Sequence, residues 1–545
     1  MTGTDFHDLA LILIVAAGVG AVGQLLRQPL IISFIVVGIL VGPAGLGWTS
    51  AEHEIELLAT LGIALLLFVV GLKLDLHLIR STGPVALATG LGQVAFTSAI
   101  GFVIARALGM TPLTALYVAV ALTFSSTIII VKLLSDKREI DSLHGRIATG
   151  FLIVQDLVVV LVMIVLSAIG LGTGVADAGP VILLMAVRGV AFVAAVGVLM
   201  RYVLPGLLNW LARSQELLVV SAIGWAISLA ALGDYLGLSK EVGAFLAGVS
   251  LATTGYREII GARLQSLRDF LLLFFFVHLG AQMDLRQLGE QWLPAMVLSA
   301  FVLVGNPLIV MVIMGYMGYR KRTSFLAGLT VAQISEFSLV LTALGMSLGH
   351  LSASTVGLVT VVGLVTIGLS TYMILYSHVL YEWLSPWLGV FERHLPHRER
   401  RAAAGGDTAG IDAILFGLGR YGSRIGAGLI RNGVRLLGVD FDPEAVRAWD
   451  EREFPAQYGD AEDPEFAAHL PLSQARMVIS TVPLLNTNLT LLRGLRGIGY
   501  EGLVVLTAHT PEDAEELKHG GADLVLLPFV DAAEQAVEML SGSED

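Results

Sequence analysis

Residues 150–167 read GFLIVQDLVVVLVMIVLS, an apolar run with a carboxamide and a carboxylate side by side at Gln155 and Asp156. Together with its apolar neighbours, the run is long enough to cross a bilayer as a helix. An ionised Asp near the centre of a membrane helix costs at least roughly 2.5 to 3.5 kcal/mol, so it is neutralised, partnered or exposed to a wet cavity. We therefore expect Asp156 to hold a cation or a proton. A carboxyl group kept protonated or paired for packing is the alternative.

The composition is typical of a polytopic membrane protein followed by an aqueous domain. Of the 545 residues, 55% are hydrophobic and only 14% are charged, which a soluble globular chain of this length would not show. The net charge of −12 is unevenly placed, because acidic residues concentrate after Arg401. The chain contains no cysteine, which excludes disulfides and thiolate metal sites.

Thirteen segments are apolar and long enough to span a bilayer, if the short ninth one is included. They lie near residues 7–26, 30–47, 55–73, 84–107, 112–134, 146–170, 180–205, 216–236, 239–254, 267–283, 292–316, 323–348 and 354–382. Basic residues concentrate in alternate connections, such as 132–146 and 320–322, and the positive-inside rule makes these connections cytoplasmic. The pattern predicts an N-terminus outside the cell and a cytoplasmic C-terminal region, as an odd number of spans requires.

Two of these segments are interrupted by polar residues at mid-depth. The fifth contains Thr123-Phe-Ser125-Ser126-Thr127, and the twelfth contains Gln333-Ile-Ser335-Glu336-Phe-Ser338. Paired interruptions in two halves are typical of transporters with inverted repeats, whose broken helices offer carbonyls and helix ends to an ion. We expect two crossed broken helices, with segments 1–6 and 8–13 as the halves and segment 7 as a linker. Hydroxyls that bond only to their own helices are the alternative.

The residues around Asp156 offer oxygen ligands. Asp156 supplies an anionic oxygen and Gln155 a carbonyl. Hydroxyls and unwound carbonyls come from the first interruption, at Thr123, Ser125, Ser126 and Thr127. Oxygen-only ligation with a single charge suits potassium or sodium better than a transition metal. If the cation and a proton compete for one carboxylate, one-for-one exchange follows without covalent chemistry.

Further polar residues are expected to support this site. Glu336 lies beside Gln333 and Ser335 in the second interruption, and we favour a structural role in which it neutralises helix ends or pairs with a basic group. Asn306 and His278 lie within or near other spans. For His278, an interhelical hydrogen bond is favoured over a proton relay.

The last part of the chain predicts a separate α/β domain. Residues 391–410 change from charged to small residues and predict a linker after a membrane domain at 1–390. Residues 411–545 alternate short apolar strands with helical stretches. This alternation predicts a parallel, doubly wound, Rossmann-like sheet.

A glycine-rich motif in this domain indicates nucleotide binding. Gly417-Leu-Gly419-Arg420-Tyr421-Gly422 follows a strand and opens a helix, where backbone can approach a phosphate. Asp440 ends the next strand and suits ribose hydroxyls, while Asp460 and Thr481 stand at further strand ends. A fold that has lost its ligand and only mediates dimer contacts is the alternative.

These motifs carry a family resemblance over nearly the whole chain. The Gln-Asp pair after Ser-Ser-Thr, the stretch Phe68-Val-Val-Gly-Leu-Lys-Leu-Asp75 and Ser335-Glu336-Phe resemble the monovalent cation:proton antiporter family 2. The C-terminal motif is similar to that of TrkA-N domains, also called regulator-of-potassium-conductance (RCK) domains. The whole chain is similar to Kef-type potassium/proton antiporters.

The resemblance implies a homodimer in the inner membrane, with a dimerisation scaffold and a mobile ion-carrying core in each protomer. It implies that Gln155 and Asp156 are the ion-binding pair and that Glu336 is the acid of the second crossover. Asn306 stands where many relatives carry a lysine. The RCK domain is implied to bind AMP or NAD(H), with ATP and ADP as alternatives.

The sequence therefore predicts a secondary antiporter, not an enzyme, that exchanges potassium, or alternatively sodium, for protons under control of a cytosolic nucleotide. Its expected partners are membrane lipid, the cation, the proton, the nucleotide and a second copy of the chain, with no nucleic acid. A nucleotide-gated channel is the alternative, but the sequence has no carbonyl filter of the TVGYG kind. A membrane-anchored dehydrogenase would need a catalytic base or a substrate domain outside the membrane, and the sequence offers neither.

Overall fold

The computed structural model describes residues 3–43, 45–47, 52–73, 83–137, 139–140, 142–170, 178–236, 239–283, 289, 291–391, 410–440, 443–459, 461, 466 and 470–541. The chain divides into two compact units. The first comprises Met1–Ile140, His144–Met314 and Ser324–Leu384, and the second comprises Asp141–Leu143, Gly315–Thr323 and Ser385–Asp545. Most of the predicted linker, residues 392–409, lies outside the described residues.

Helices occupy the predicted membrane spans. They are α1 (Gly3–Leu25), α2 (Leu30–Val41), α3 (Glu52–Leu72), α4 (Gly83–Ala107), α5 (Pro112–Ala121), α6 (Thr127–Asp136), α7 (Leu143–Gly170), α8 (Ala178–Val198), α9 (Leu204–Leu211), α10 (Gln215–Tyr235), α11 (Lys240–Ala252), α12 (Arg257–Ala281), α13 (Trp292–Ala300), α14 (Asn306–Tyr316), α15 (Lys321–Leu329), α16 (Glu336–Ser347), α17 (Ala353–Leu375) and α18 (Ser377–Leu388). Among the described residues, nine helices are long and apolar enough to cross a membrane, and α2, α5 and α16 are shorter apolar helices. The expected polytopic helical fold is confirmed.

The fifth and twelfth spans are broken, as predicted. Residues 122–126 separate α5 from α6, and residues 330–335 separate α15 from α16. The polar residues that interrupt the apolar pattern cap the new helices. Ser126 Oγ accepts a hydrogen bond from a backbone N–H of the first turn of α6 at 3.4 Å, and Ser335 Oγ accepts one in α16 at 3.2 Å. These caps satisfy donors that an interrupted helix leaves unpaired.

Two spans contain a π-helical turn that the apolar pattern did not predict. Leu199–Val203 lies between α8 and α9, and Phe301–Gly305 lies between α13 and α14. A proline follows each turn, Pro205 in one case and Pro307 in the other. Proline lacks the helical N–H and crowds the carbonyl four residues earlier, and a wider turn accommodates both effects. The seventh span therefore continues through α9, and Asn306 lies at the junction of a π-turn with α14.

The last predicted span, 354–382, is two helices rather than one. Helix α17 ends at Leu375 and α18 begins at Ser377. Lys137, just after α6, donates to the Ile374 carbonyl at 3.1 Å and to Ser377 Oγ at 2.7 Å. The ammonium group thus supplies a donor to a carbonyl at the break, which residue hydropathy alone could not predict.

A partly buried carboxylate, Glu139, joins the loop after α6 to α18. Glu139 accepts hydrogen bonds from His144 at 3.2 Å and His378 at 2.7 Å, and it pairs with Lys137 at 3.0 Å. Burial opposes the charge on Glu139, but the two histidine bonds and the Lys137 charge hold its pKa well below its usual range. Glu139 is therefore an ionised centre that three basic side chains surround.

Close glycine contacts hold two pairs of membrane helices backbone to backbone. A Cβ added at Gly248 of α11 would clash with the carbonyl oxygen of Phe68 in α3, and one added at Gly71 of α3 would clash with that of Phe245 in α11. Helices α2 and α12 meet in the same way. At these glycines no side chain separates the two helices, so their backbones approach each other closely.

The second unit contains a six-stranded parallel sheet. Its strands are β1 (Ala413–Phe416), β2 (Leu436–Asp440), β3 (Ala456–Tyr458), β4 (Met477–Ser480), β5 (Leu503–Thr507) and β6 (Leu524–Leu526), and its helices are α19 (Arg420–Arg431), α20 (Pro443–Asp450), α21 (Leu485–Gly497), α22 (Pro511–His519) and α23 (Pro528–Ser541). The strand order is β3-β2-β1-β4-β5-β6. The order reverses at β1, so this doubly wound sheet has a switch point where the carboxyl ends of β1, β2 and β4 meet. The predicted Rossmann-like fold is confirmed.

The Gly248 contact generates a stability prediction. Gly248→Ala forces α3 and α11 apart, and overpacking of this kind lowers the free energy of unfolding by about 1–3 kcal/mol. The thermal unfolding midpoint of the detergent-purified protein should therefore fall. Gly224→Ala in α10 is the matched control, because nothing lies within 4 Å of a Cβ at Gly224. Equal midpoints for the two variants would contradict the close packing of α3 on α11.

Candidate functional site

Asp156 lies on α7 and faces the start of the second half of a broken helix. Thr127 Oγ1 donates a hydrogen bond to Asp156 Oδ2 at 2.9 Å. Because Thr127 is the first residue of α6, the carboxylate lies at a helix N-terminus, where unpaired N–H groups and the helix dipole favour negative charge. This contact joins the carboxylate to the first break, as the sequence predicts.

A cavity of about 570 Å³ reaches Asp156. Apolar residues of α3, α6, α7 and α12 form most of its wall, and its polar lining residues are Lys73, Thr127, Asp156, Arg257, Glu258, Gln265, Arg268 and Glu336. Glu336 is the first residue of α16 and is buried at 3% exposure. The structure therefore brings both membrane carboxylates of the prediction into one cavity, each beside the N-terminus of a half-helix.

Charged residues line the same cavity on α12 and just beyond α3. Arg268 donates to Asp269 through Nε at 2.9 Å and through Nη2 at 2.7 Å, and its side chain is nearly buried. Lys73, Arg257 and Glu258 are the other charged residues of this part of the wall. They belong to the connections that the charge pattern assigns to the cytoplasm, so the cavity extends from Asp156 toward the basic side of the membrane unit.

Gln155 is fully buried and is not among the residues that line the described cavity. Its Oε1 accepts a hydrogen bond from Ser125 N at 3.1 Å, and its Nε2 donates to Gln93 Oε1 at 2.8 Å. Both ends of the amide are therefore bonded to protein. In this arrangement Gln155 holds the first break in place beside Asp156 instead of presenting its carbonyl to the cavity.

Two side chains that the sequence analysis did not single out continue from Gln155. Gln93 Nε2 donates to Thr97 Oγ1 and to the Thr123 carbonyl, both at 3.1 Å, and Thr97 Oγ1 donates to Asn306 Oδ1 at 3.1 Å. We call Gln155, Gln93, Thr97 and Asn306 the amide chain. All four side chains have 0% exposure. Gln93 and Thr97 lie one turn apart on a mostly apolar helix, and this spacing is the sequence signal that could have identified them.

Asn306 connects the two breaks. Its Nδ2 donates to the Leu122 carbonyl at 3.1 Å and to the Val331 carbonyl at 3.4 Å. Leu122 directly follows α5 as the first residue of one interruption, and Val331 lies in the other interruption. The two interruptions therefore meet at one amide group.

The structure gives hydrogen-bond partners to most of the other predicted membrane residues. Thr123 Oγ1 donates to the Ala119 carbonyl at 2.9 Å, while Ser126 and Ser335 are helix caps. Gln333 Oε1 accepts from Ser370 at 2.9 Å, and His278 bonds to Gln282 at 2.8 Å on α12. Among the described residues, Ser125 Oγ and Gln333 Nε2 are buried without a hydrogen-bond partner. His278 and Gln333 are not lining residues of the described cavity.

The glycine-rich motif lies at the switch point of the sheet. Gly417 has φ +88°, and a Cβ there would lie 2.7 Å from Thr481 Oγ1. Thr481 Oγ1 donates to the Gly417 carbonyl at 2.8 Å, so the residue after β4 fastens the loop after β1. A Cβ at Gly422 would clash with the Gly417 carbonyl. Because glycine has no side chain, α19 can pack closely against the loop after β1 at this position.

Asp440 and Gly419 shape the open side of this loop. Asp440 Oδ2 accepts a hydrogen bond from Leu418 N at 2.6 Å. Gly419 caps α19, and nothing lies within 4 Å of a Cβ built on it. Arg420 and Tyr421 follow as exposed residues of the first turn. Asp460 lies outside the described residues, although β3, which precedes it, is present.

The chain is similar in sequence to known proteins. The family model described as "Sodium/hydrogen exchanger, transmembrane" matches residues 10–375, and that of the TrkA-N domain matches residues 413–528. The putative cation/proton antiporter YbaL of Escherichia coli (strain K12) is 26% identical over 544 residues, which are 97% of this chain and 96% of YbaL. The putative K(+) efflux antiporter KefB of Alkalimonas amylolytica is 27% identical over 512 residues, which are 92% of this chain and 76% of KefB.

Among solved structures, the sodium proton antiporter MjNhaP1 of Methanocaldococcus jannaschii matches with 16% identity and a TM-score of 0.48, over 71% of this chain and 98% of that chain. The exchanger model covers well over half of the 545 residues. The expected cation/proton antiporter family and the expected TrkA-N domain are both confirmed. The chain therefore belongs to the sodium/hydrogen exchanger family of membrane transporters and carries a TrkA-N domain after its membrane unit.

Proposed function

We propose that the chain exchanges potassium for protons at a site centred on Asp156, and that a nucleotide bound by the TrkA-N domain sets the rate. The observation that carries this proposal is the shared cavity, in which Asp156 and Glu336 each lie beside the N-terminus of a broken half-helix. Two helix dipoles and two acidic side chains meet there within a membrane domain. A cation replaces the proton on Asp156 when it enters, and the proton returns when the cation leaves.

The ligands of the cation are oxygens at the first break. Asp156 supplies the charge, and Thr127 Oγ1 is within hydrogen-bond distance of it. Ser125 Oγ, buried and without a partner in the described part of the chain, is a further oxygen at the same break. Glu336 adds negative charge to the cavity and stabilises the N-terminus of α16. One titrating carboxylate gives one-for-one exchange, since a monovalent cation and a proton carry equal charge.

We propose potassium rather than sodium as the cation because one of the relatives is named a putative K(+) efflux antiporter. Sodium is the alternative cation of the same site. Basic residues line the cavity at Lys73, Arg257 and Arg268, which supports a cytoplasmic entrance under the positive-inside rule. We place the chain in the inner membrane as a homodimer, with its N-terminus outside.

The two carboxylates generate distinct expectations. Asp156→Asn removes the group that binds proton and cation, so potassium/proton exchange in proteoliposomes should fall to the level of empty liposomes. Glu336→Gln should retain exchange with a several-fold higher KM for potassium, because it loses only nearby charge. The measurement is proton flux from a trapped pH dye after a potassium step.

Asp234→Asn is the matched control for the same chemical change. Asp234 is an exposed carboxylate on α10 and does not line the described cavity. The Asp234→Asn protein should exchange potassium for protons at the rate of the unmodified protein. Full exchange activity of the Asp156→Asn protein would contradict the proposed site. If Glu336→Gln abolished exchange as completely as Asp156→Asn, the two carboxylates would have equal roles and the supporting role of Glu336 would be wrong.

The open space at Gly419 supports the nucleotide proposal. Backbone N–H groups at the start of α19 lie beside this space, and a phosphate at a helix N-terminus is favoured by those donors and by the dipole. Asp440 stands at the end of the next strand, where a ribose hydroxyl is usually bound in such folds. AMP and NAD(H) are the proposed ligands, with ATP and ADP as the other candidates.

A side chain at Gly419 should fill the phosphate space without straining the protein. The φ of Gly419 is −64°, so Gly419→Val is tolerated by the backbone. We expect it to weaken binding of AMP or NADH at least about tenfold, since a phosphate loses backbone donors, with an unchanged unfolding midpoint of the ligand-free protein. The measurement is calorimetric titration of the full chain with each nucleotide.

Gly428→Ala on α19 is the control, because a Cβ there also meets nothing within 4 Å but lies two turns away from the loop. It should bind nucleotide normally. Nucleotide binding that survives Gly419→Val unchanged would remove the loop from the proposal, and no binding to the unmodified chain would leave the domain as a dimer contact.

A further inference from the structure

The hydrogen bonds of the amide chain run in one direction. Gln155 Nε2 donates to Gln93 Oε1 at 2.8 Å, and Gln93 Nε2 donates to Thr97 Oγ1 at 3.1 Å. Thr97 Oγ1 then donates to Asn306 Oδ1 at 3.1 Å. The Thr97 hydroxyl accepts from one amide and donates to the next, so it joins Gln93 to Asn306.

This direction fixes the orientation of each amide. Turning any one of them over would bring two donors or two acceptors together in a fully buried site, where unsatisfied polar groups are costly. Gln155 therefore presents its oxygen to Ser125 N, and Asn306 presents its NH₂ group to Leu122 and Val331. The amide chain is a preorganised support in the protein interior, not a set of separate contacts.

The amide chain also decides which backbone carbonyls remain free at the breaks. Gln93 bonds to the Thr123 carbonyl, and Asn306 bonds to the carbonyls of Leu122 and Val331. Each of these oxygens would otherwise be a strong ligand for a cation at the break. Cation preference depends on the number and field strength of the ligands, so amide hydrogen bonds to three carbonyls weaken these carbonyls as ligands relative to the oxygens around Asp156.

We infer that Gln93 and Thr97 are positioning residues that set the cation affinity and preference of the Asp156 site. They act through Gln155, Asn306 and three backbone carbonyls, and neither lines the cavity. The inference rests on the proposed function of Asp156. It assigns a role to two residues of α4 to which the proposed function gives none.

Thr97→Val tests this role with little change of shape. The variant keeps the branched side chain and removes the hydroxyl, so Gln93 loses an acceptor and Asn306 Oδ1 loses a donor. In proteoliposomes we expect KM for potassium to rise about tenfold and the potassium-over-sodium preference to fall by a similar factor, the effect of unsatisfied buried hydrogen bonds. The turnover number should change far less. Thr97→Ser keeps the hydroxyl and should restore the unmodified values.

Several outcomes would overturn the inference. A folded Thr97→Val protein with unchanged KM and unchanged cation preference would show that the amide chain does not set the site. Gln93→Met, which removes the amide but keeps the length of the side chain, is the second variant. If neither variant yields monodisperse protein while Thr97→Ser does, the role is structural only and the positioning role is lost.

The parallel Asp156→Asn measurement separates this inference from the proposed function. An active Asp156→Asn protein means that the ion site itself is wrongly placed. An inactive Asp156→Asn protein together with a normal Thr97→Val protein means that only the role of Gln93 and Thr97 is wrong.

Discussion

A helix that is broken inside a membrane leaves backbone N–H and C=O groups without helical partners, and lipid offers none. This constraint governs the membrane unit, because two of its spans are broken. The N–H groups are met by serine caps at Ser126 and Ser335. The carbonyls are met by amide side chains, with Asn306 serving both breaks and Gln93 serving the first. The two interruptions therefore hold each other in place through one buried network.

The same constraint shapes the proposed transport site. Helix N-termini that face the cavity carry partial positive charge, and Asp156 and Glu336 lie beside them. In the proposed mechanism these dipoles favour an ionised carboxylate when the cation is bound. The network behind the breaks is proposed to weaken three carbonyls as competing ligands. In this proposal, structure and exchange chemistry depend on the same broken helices.

Much of this could be predicted from the sequence. Asp156 is an isolated charge in an apolar run, polar residues mark each break, and the glycine motif follows a strand directly. Each of these signals is local. The parallel, doubly wound sheet also follows from the alternation of strands and helices, whereas its strand order, which brings Gly417 and Thr481 together, does not.

Other features depend on contacts between distant parts of the chain. Gln93 and Thr97 lie on a mostly apolar helix, and Asn306, the partner of Thr97, lies 209 positions later in the sequence. Gln155 was expected to offer its carbonyl to the ion, yet Ser125 N and Gln93 occupy both ends of its amide. The break after α17 depends on Lys137, which is far away in sequence. A local sequence pattern does not show which distant residues form these hydrogen bonds.

Exchange at Asp156 requires that a potassium ion and a proton compete for one carboxylate. Proton release on potassium binding to the purified, detergent-solubilised protein in weakly buffered solution measures this competition directly. Competition predicts one proton released per protomer, and an apparent potassium affinity that falls about tenfold for each unit of decreasing pH on the acid side of the titration. Potassium binding with no proton release, at an affinity independent of pH, would contradict it.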